Sequence, residues 1–124
     1  MSLFVIEPAA FMVLHRDSLL DDGLECGAWD EMLLAAALDY PLKEARLSIA
    51  DVAAVASAYA IGMLRYRPFC SGNQRAAFLA LGLFLYANGW QLDSTDDEAI
   101  SIMRRVACGE VGEDELANWI RRHL

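Results

Sequence analysis

Apolar residues recur at helical spacing along most of the chain, and this pattern predicts an all-α fold. The clearest case is the run from Ala76 to Ala87, in which apolar side chains would occupy nearly every face of a helix. A helix that is apolar all round is typical of the interior of a domain. We therefore expect about six helices, arranged around one central buried helix.

Five further helices are predicted from apolar spacing and from start and stop signals. Their approximate ranges are 8–20, 31–39, 48–65, 96–108 and 113–123. Asp30, Ser48 and Thr95 are the predicted N-terminal caps, and Glu98 would complete a capping box with Thr95.

The sequence also predicts which faces of the helices are buried and where a helix ends. On the first helix, Phe11, Leu14 and Ser18 are expected to share one face, with Val13 and Leu20 beside it. The last two helices would bury Ala99, Ile102, Met103, Val106, Leu116, Trp119 and Ile120. Pro41 is expected to break the chain, which would leave residues 42–47 as an exposed connection. His15 is interpreted as a packed helix residue, because no acidic or metal-ligand cluster accompanies it in the sequence.

Composition and charge narrow the class of protein. A chain of 124 residues with 56% hydrophobic composition is long enough for one domain with its own core, so residues 1–124 are expected to form a single domain. The net charge of −8 disfavours direct nucleic-acid binding, which needs a basic face. The three cysteines lack metal-ligand spacing, and no signal peptide or membrane-length apolar run is present. These features predict a cytoplasmic protein with reduced thiols.

A loop with the chemistry of an anion site precedes the apolar run. It reads Arg67-Pro68-Phe69-Cys70-Ser71-Gly72-Asn73-Gln74-Arg75. The following helix would present free backbone N–H groups, the positive end of its dipole and a guanidinium at one place. We therefore predict that Gly72, Asn73, Gln74 and Arg75 bind phosphate.

This loop resembles the signature of the Fic/Doc family, and more closely that of its Doc (death-on-curing) branch. The Doc signature reads His-Pro-Phe, a variable residue, an acidic residue, a small residue and then Asn-Lys-Arg-Thr-Ala. Further matching segments, spread over nearly the whole chain, are Leu14-His15, Leu33-Leu34, Ala37-Leu38, Pro41, Ala58-Tyr59-Ala60-Ile61-Gly62, Leu85-Tyr86-Ala87-Asn88-Gly89 and Glu115-Leu116-Ala117-Asn118-Trp119. The resemblance implies a compact, single-domain Fic/Doc-like helical fold.

The two catalytic positions of the signature carry different chemistry in this chain, and Gln74 stands where the Doc branch has a lysine. The resemblance implies a histidine base and an acidic ligand for Mg²⁺, but Arg67 and Ser71 stand at those positions. A guanidinium cannot act as a general base, although it can bind phosphate bidentately. We therefore expect a degenerate site that holds the phosphates of ATP without a metal ion.

Two functions follow from the resemblance. The first is a Doc-like toxin that transfers a phosphate from ATP to a hydroxyl of a translation factor such as elongation factor Tu, with impaired catalysis, and that a Phd-type antitoxin silences. The second is a catalytically inactive Fic/Doc domain that binds a protein or a nucleotide. Cys70, near the helix N-terminus and flanked by arginines, is a minor candidate for a reactive thiol.

Overall fold

The computed structural model describes the backbone of residues 3–47 and 51–124, and the side chains of residues 3–43 and 51–124. Within these ranges the chain forms six α-helices and no strand, which confirms the predicted all-α class. The helices are α1 (Pro8–Asp21), α2 (Glu31–Leu47), α3 (Val52–Tyr66), α4 (Asn73–Ala87), α5 (Asp96–Ala107) and α6 (Glu113–Arg122). None of the helices described in these ranges is long and apolar enough to cross a membrane.

The helix at the centre of the fold is α3, whereas the apolar run had pointed to α4. Helix α3 packs against α2, α4 and α6. Its side chains from Val55 to Ala60 are all buried, including the ring of Tyr59. Helix α4 packs against α3, α5 and α1, but Leu79 and Leu83 remain half-buried and Tyr86 is exposed. The apolar surface of α4 is therefore wider than the surface that its neighbours cover.

The buried face of α1 differs from the predicted one. Phe11 is buried as expected, but its buried partners on the helix are Met12, His15 and Leu19. Val13, Leu14 and Leu20, which were expected on or beside the face of Phe11, are all exposed. Apolar residues occur on both sides of this helix, so their spacing alone could not identify the face that packs against α2 and α4.

Helix α2 continues through Pro41, so the predicted break and the predicted exposed connection over 42–47 are both wrong. Proline has no N–H to donate to the carbonyl of Ala37, four residues earlier. Gly62 of α3 lies against this same carbonyl, so closely that a Cβ on Gly62 would be 2.4 Å from the oxygen. The close packing of α3 on α2 at this point helps to stabilise a helix that contains an internal proline.

The capping predictions have mixed outcomes. The carboxylate of Asp30 accepts a hydrogen bond from the N–H of Leu33 at 2.9 Å, as expected of a cap. Helix α3 has Asp51 as its N-cap, with a hydrogen bond from the N–H of Ala54 at 2.8 Å. The cap predicted at Ser48 lies outside the described residues.

Helices α5 and α6 agree with the sequence pattern. The side chains of Thr95 and Glu98 form the predicted reciprocal capping box at the start of α5. The core positions predicted for both helices are all buried, namely Ala99, Ile102, Met103, Val106, Leu116, Trp119 and Ile120. Clear polar and apolar faces on these two helices made their orientation predictable.

Candidate functional site

The loop before α4 is held by short antiparallel pairing with the segment before α2. Trp29 and Phe69 form a β-bridge, and the N–H of Cys70 donates to the carbonyl of Ala28 at 3.1 Å. Gly72 then adopts a left-handed conformation (φ 79°) as the N-cap of α4. Glycine adopts this conformation without the strain that a side chain would cause. The turn therefore brings the N-terminus of α4 next to the chain that leaves α1.

A cavity of about 160 Å³ lies at this junction. Its walls come from α1, from the connection between α1 and α2, from the loop before α4 and from the first turn of α4. The lining residues are His15, Leu19, Leu24, Glu25, Cys26, Gly27, Ala28, Phe69, Cys70, Ser71, Gly72 and Arg75. Because the first N–H groups of a helix have no intrahelical acceptor, this end of α4 attracts groups that accept hydrogen bonds.

Arg75 links α4 to the end of α1. Its Nη2 donates to the carbonyl oxygen and to the hydroxyl of Ser18, both at 2.8 Å, and it contacts the carboxylate of Asp22 at 2.6 Å. The guanidinium charge is therefore partly compensated within the protein. The Nε–H group is buried and has no hydrogen-bond partner. A buried donor without an acceptor costs about 1–3 kcal/mol, so this side of the guanidinium is suited to an additional acceptor.

His15 also lines the cavity, and it is only 3% exposed. The imidazole stacks on Phe69, with ring centroids 4.4 Å apart, and its Nδ1 has no hydrogen-bond partner. Burial, followed by the positive charges of Arg75 and Arg16, lowers the pKa of His15 below its usual value. The ring is therefore neutral at pH 7.

The structure brings only some of the predicted site residues together. Ser71, Gly72 and Arg75 line the cavity. Asn73 is buried, and its side-chain amide bonds back to the N–H and carbonyl of Phe69, at 3.1 and 2.9 Å. Any contribution of Asn73 to ligand binding would therefore come from its backbone N–H.

Gln74 and Arg67, like Asn73, lie outside the cavity lining. Gln74 is exposed on the first turn of α4. Arg67 is exposed at the end of α3, where it adopts a left-handed conformation (φ 47°) and its N–H caps the carbonyl of Met63 at 3.0 Å. The position that carries the base in the Fic/Doc signature is thus a helix-capping position in this chain.

The cavity offers no obvious metal site. No group of three or more His, Cys, Asp or Glu side chains is placed to hold a metal ion among the residues that the structure describes. Glu25 is the only carboxylate in the lining, and Ser71 supplies a hydroxyl. Arg75 is the one permanently positive side chain in the lining, and its guanidinium has donors only.

Two lining residues, His15 and Glu25, were not identified as site residues from the sequence. His15 lies on a helix more than fifty residues before the loop, and it enters the site because α1 packs its buried face beside α4. The interpretation of His15 as a packed helix residue is confirmed by its burial, but its place beside the loop before α4 depends on the packing of α1, which local spacing does not determine.

Comparison with known proteins does not extend this description. No protein-family model matches the chain, and no curated protein sequence matches it at a significant level.

Proposed function

We propose that this chain is a Doc-like helical domain that binds the phosphate of a nucleotide or of a phosphorylated partner at the N-terminus of α4, without Mg²⁺ and without turnover. The observation that carries the proposal is the cavity at the N-terminus of α4, which is lined by Gly72, Arg75 and His15, together with a buried guanidinium N–H of Arg75 that has no acceptor. A phosphate oxygen would accept from this N–H and from the first N–H groups of the helix.

The size of the cavity limits which part of a ligand can enter. Pockets that enclose a drug-sized molecule have volumes of about 300–1,000 Å³, whereas this cavity has about 160 Å³. A terminal phosphate would fit, and the remainder of a nucleotide or peptide would stay outside. ATP, inorganic phosphate and a phosphopeptide are therefore all suitable probes.

Calorimetric titration with inorganic phosphate and with ATP, in the absence of Mg²⁺, tests the proposal. Arg75→Gln should weaken binding at least about tenfold, because a hydrogen bond to a charged group contributes about 1.5–3 kcal/mol. Glu25→Gln should strengthen binding by about two- to fivefold, since it removes an exposed negative charge at the cavity.

Arg104→Gln is the matched control, because Arg104 is an exposed arginine of α5 outside the cavity lining. This variant should bind like the wild type. The proposal is wrong if Arg75→Gln and Arg104→Gln have the same affinity, or if Glu25→Gln fails to strengthen binding. Glu25→Gln also guards against a folding artefact, because Arg75 anchors the end of α1 whereas Glu25 is exposed.

Phosphate transfer, as in a Doc-like toxin, is the second candidate function. The observation that favours it is the neutral imidazole of His15 beside the cavity, because a neutral imidazole can accept a proton and Arg67 cannot. Incubation with labelled ATP and a cell lysate would test this candidate. A labelled protein, such as a translation factor, that disappears with Arg75→Gln would support transfer.

A further inference from the structure

The imidazole of His15 is fixed in place but lacks a polar partner. It is stacked on Phe69, at 4.4 Å, and on Phe11, at 5.7 Å between ring centroids. Because the ring is almost fully buried between these neighbours, it cannot turn out to meet bulk solvent. Its Nδ1 is buried without a partner among the described residues, and the residue lines the cavity, so the charge on the ring is sensitive to an anion bound there.

Each element around the cavity contributes charged or titratable groups to the surroundings of His15. Arg16 is its neighbour on α1, and Arg75 comes from α4. Glu25 and Cys26 lie in the connection after α1, and Cys70 lies in the loop before α4. Burial of the ring, and then the positive charges of Arg75 and Arg16, lower the pKa of His15 and favour the neutral ring while the cavity holds no anion.

Resting on the anion site described above, we propose that His15 is the second anion-binding side chain of the cavity, and that it takes up one proton when a phosphate-sized dianion enters. In the free protein the ring carries one proton and is neutral. In the complex, a proton from solvent converts the ring to imidazolium, and both ring nitrogens become donors. The dianion compensates the new charge together with that of Arg75.

The uptake of a proton by His15 on anion binding also distinguishes the two candidate functions. An imidazolium has no lone pair with which to accept a proton from an attacking hydroxyl. A His15 that is protonated when the anion is bound therefore favours binding over phosphate transfer.

Sulfate is the probe that tests the inference most clearly, because it stays a dianion over the whole neutral range and carries no proton of its own. Calorimetry at pH 7.5, in buffers of low and high ionisation enthalpy, measures the protons taken up per sulfate bound. We expect an uptake approaching one proton. Between pH 7 and 8.5 we expect the affinity to fall by up to about tenfold per pH unit.

His15→Gln should abolish the proton uptake and flatten the pH dependence, while His123→Gln should leave both unchanged. His123 is the other histidine of the chain, and its ring contacts the carbonyl of Trp119 on α6, away from the cavity. Proton uptake is measured on the wild-type protein, so this part of the test remains valid even if His15→Gln fails to fold. Sulfate binding without proton uptake would overturn the role of His15 but leave the anion site intact. Absence of both sulfate and phosphate binding would overturn the anion site itself.

Discussion

Asn73 illustrates how one side chain can hold a loop in place without lining the cavity beside it. Its amide closes the loop by accepting from the N–H of Phe69 and donating to the carbonyl of the same residue. Both residues are buried, so no solvent replaces these bonds when the amide is removed. The position of the first turn of α4, and hence of Gly72, depends on this pair of bonds.

We predict that Asn73→Ala lowers the free energy of unfolding by about 1–3 kcal/mol, because it leaves a buried N–H and a buried carbonyl unpaired. Gln74→Ala is the control, since Gln74 is exposed at the next position, and it should change stability by less than about 0.5 kcal/mol. Urea unfolding followed by circular dichroism measures both values. Equal effects of the two substitutions would mean that the loop does not depend on the Asn73 amide.

At the residue scale, the sequence allowed the loop to be predicted but not the cavity beside it. Gly72 and Arg75 were identified because a glycine, polar residues and an arginine precede an apolar helix. His15 was missed because its role depends on the packing of α1, which local spacing does not determine. Arg67 was placed at the site through its position in the signature, whereas in the structure it caps α3.

At the scale of elements, the contact between α2 and α3 explains how a proline remains inside a helix. An internal proline costs about 3 kcal/mol or more in an isolated helix. Here α3 packs on the turn that contains Pro41, and Gly62 allows the two backbones to approach closely. We infer that this packing offsets the cost of the proline, which the sequence pattern alone does not reveal.

We predict that Gly62→Ala destabilises the protein by about 1–3 kcal/mol, because the added Cβ would meet the backbone oxygen of Ala37 at 2.4 Å. Gly82→Ala is the matched substitution in α4, where a Cβ would have no atom within 4 Å. It should stabilise the protein by about 0.5–1 kcal/mol, since alanine favours helix more than glycine does. In thermal and urea unfolding, Gly62→Ala should be less stable than the wild type and Gly82→Ala should be more stable. A neutral Gly62→Ala would contradict the close approach of α2 and α3.

The predictable elements were those with distinct polar and apolar faces. Helices α5 and α6 have both faces and flanking caps, and their boundaries and buried positions were predicted correctly. Helices α1 and α4 carry apolar residues on several faces, so the sequence predicted their existence but not their surroundings. In physical terms, the choice of face and of the central helix is made by contacts between elements that are distant in the chain.

At the scale of the whole molecule, the proposed anion site lies in a protein with a net charge of −8. The overall field therefore opposes the approach of an anion, and binding must rely on short-range donors at the cavity. At 0.1 M ionic strength, salt largely screens this repulsion at distances beyond about 10 Å. We therefore expect such a site to bind a small anionic group and not a polyanion such as nucleic acid.

The central claim is that a phosphate group binds at the N-terminus of α4. Titration of isotope-labelled protein with inorganic phosphate, followed by backbone and arginine N–H chemical shifts, tests this claim most directly. The account predicts that the largest shifts occur at the amides of Gly72 to Arg75 and at the Nε–H of Arg75. It would be contradicted by largest shifts at Arg105, Trp119 and Arg122, which line a second cavity between α5 and α6, or by no shifts at millimolar phosphate.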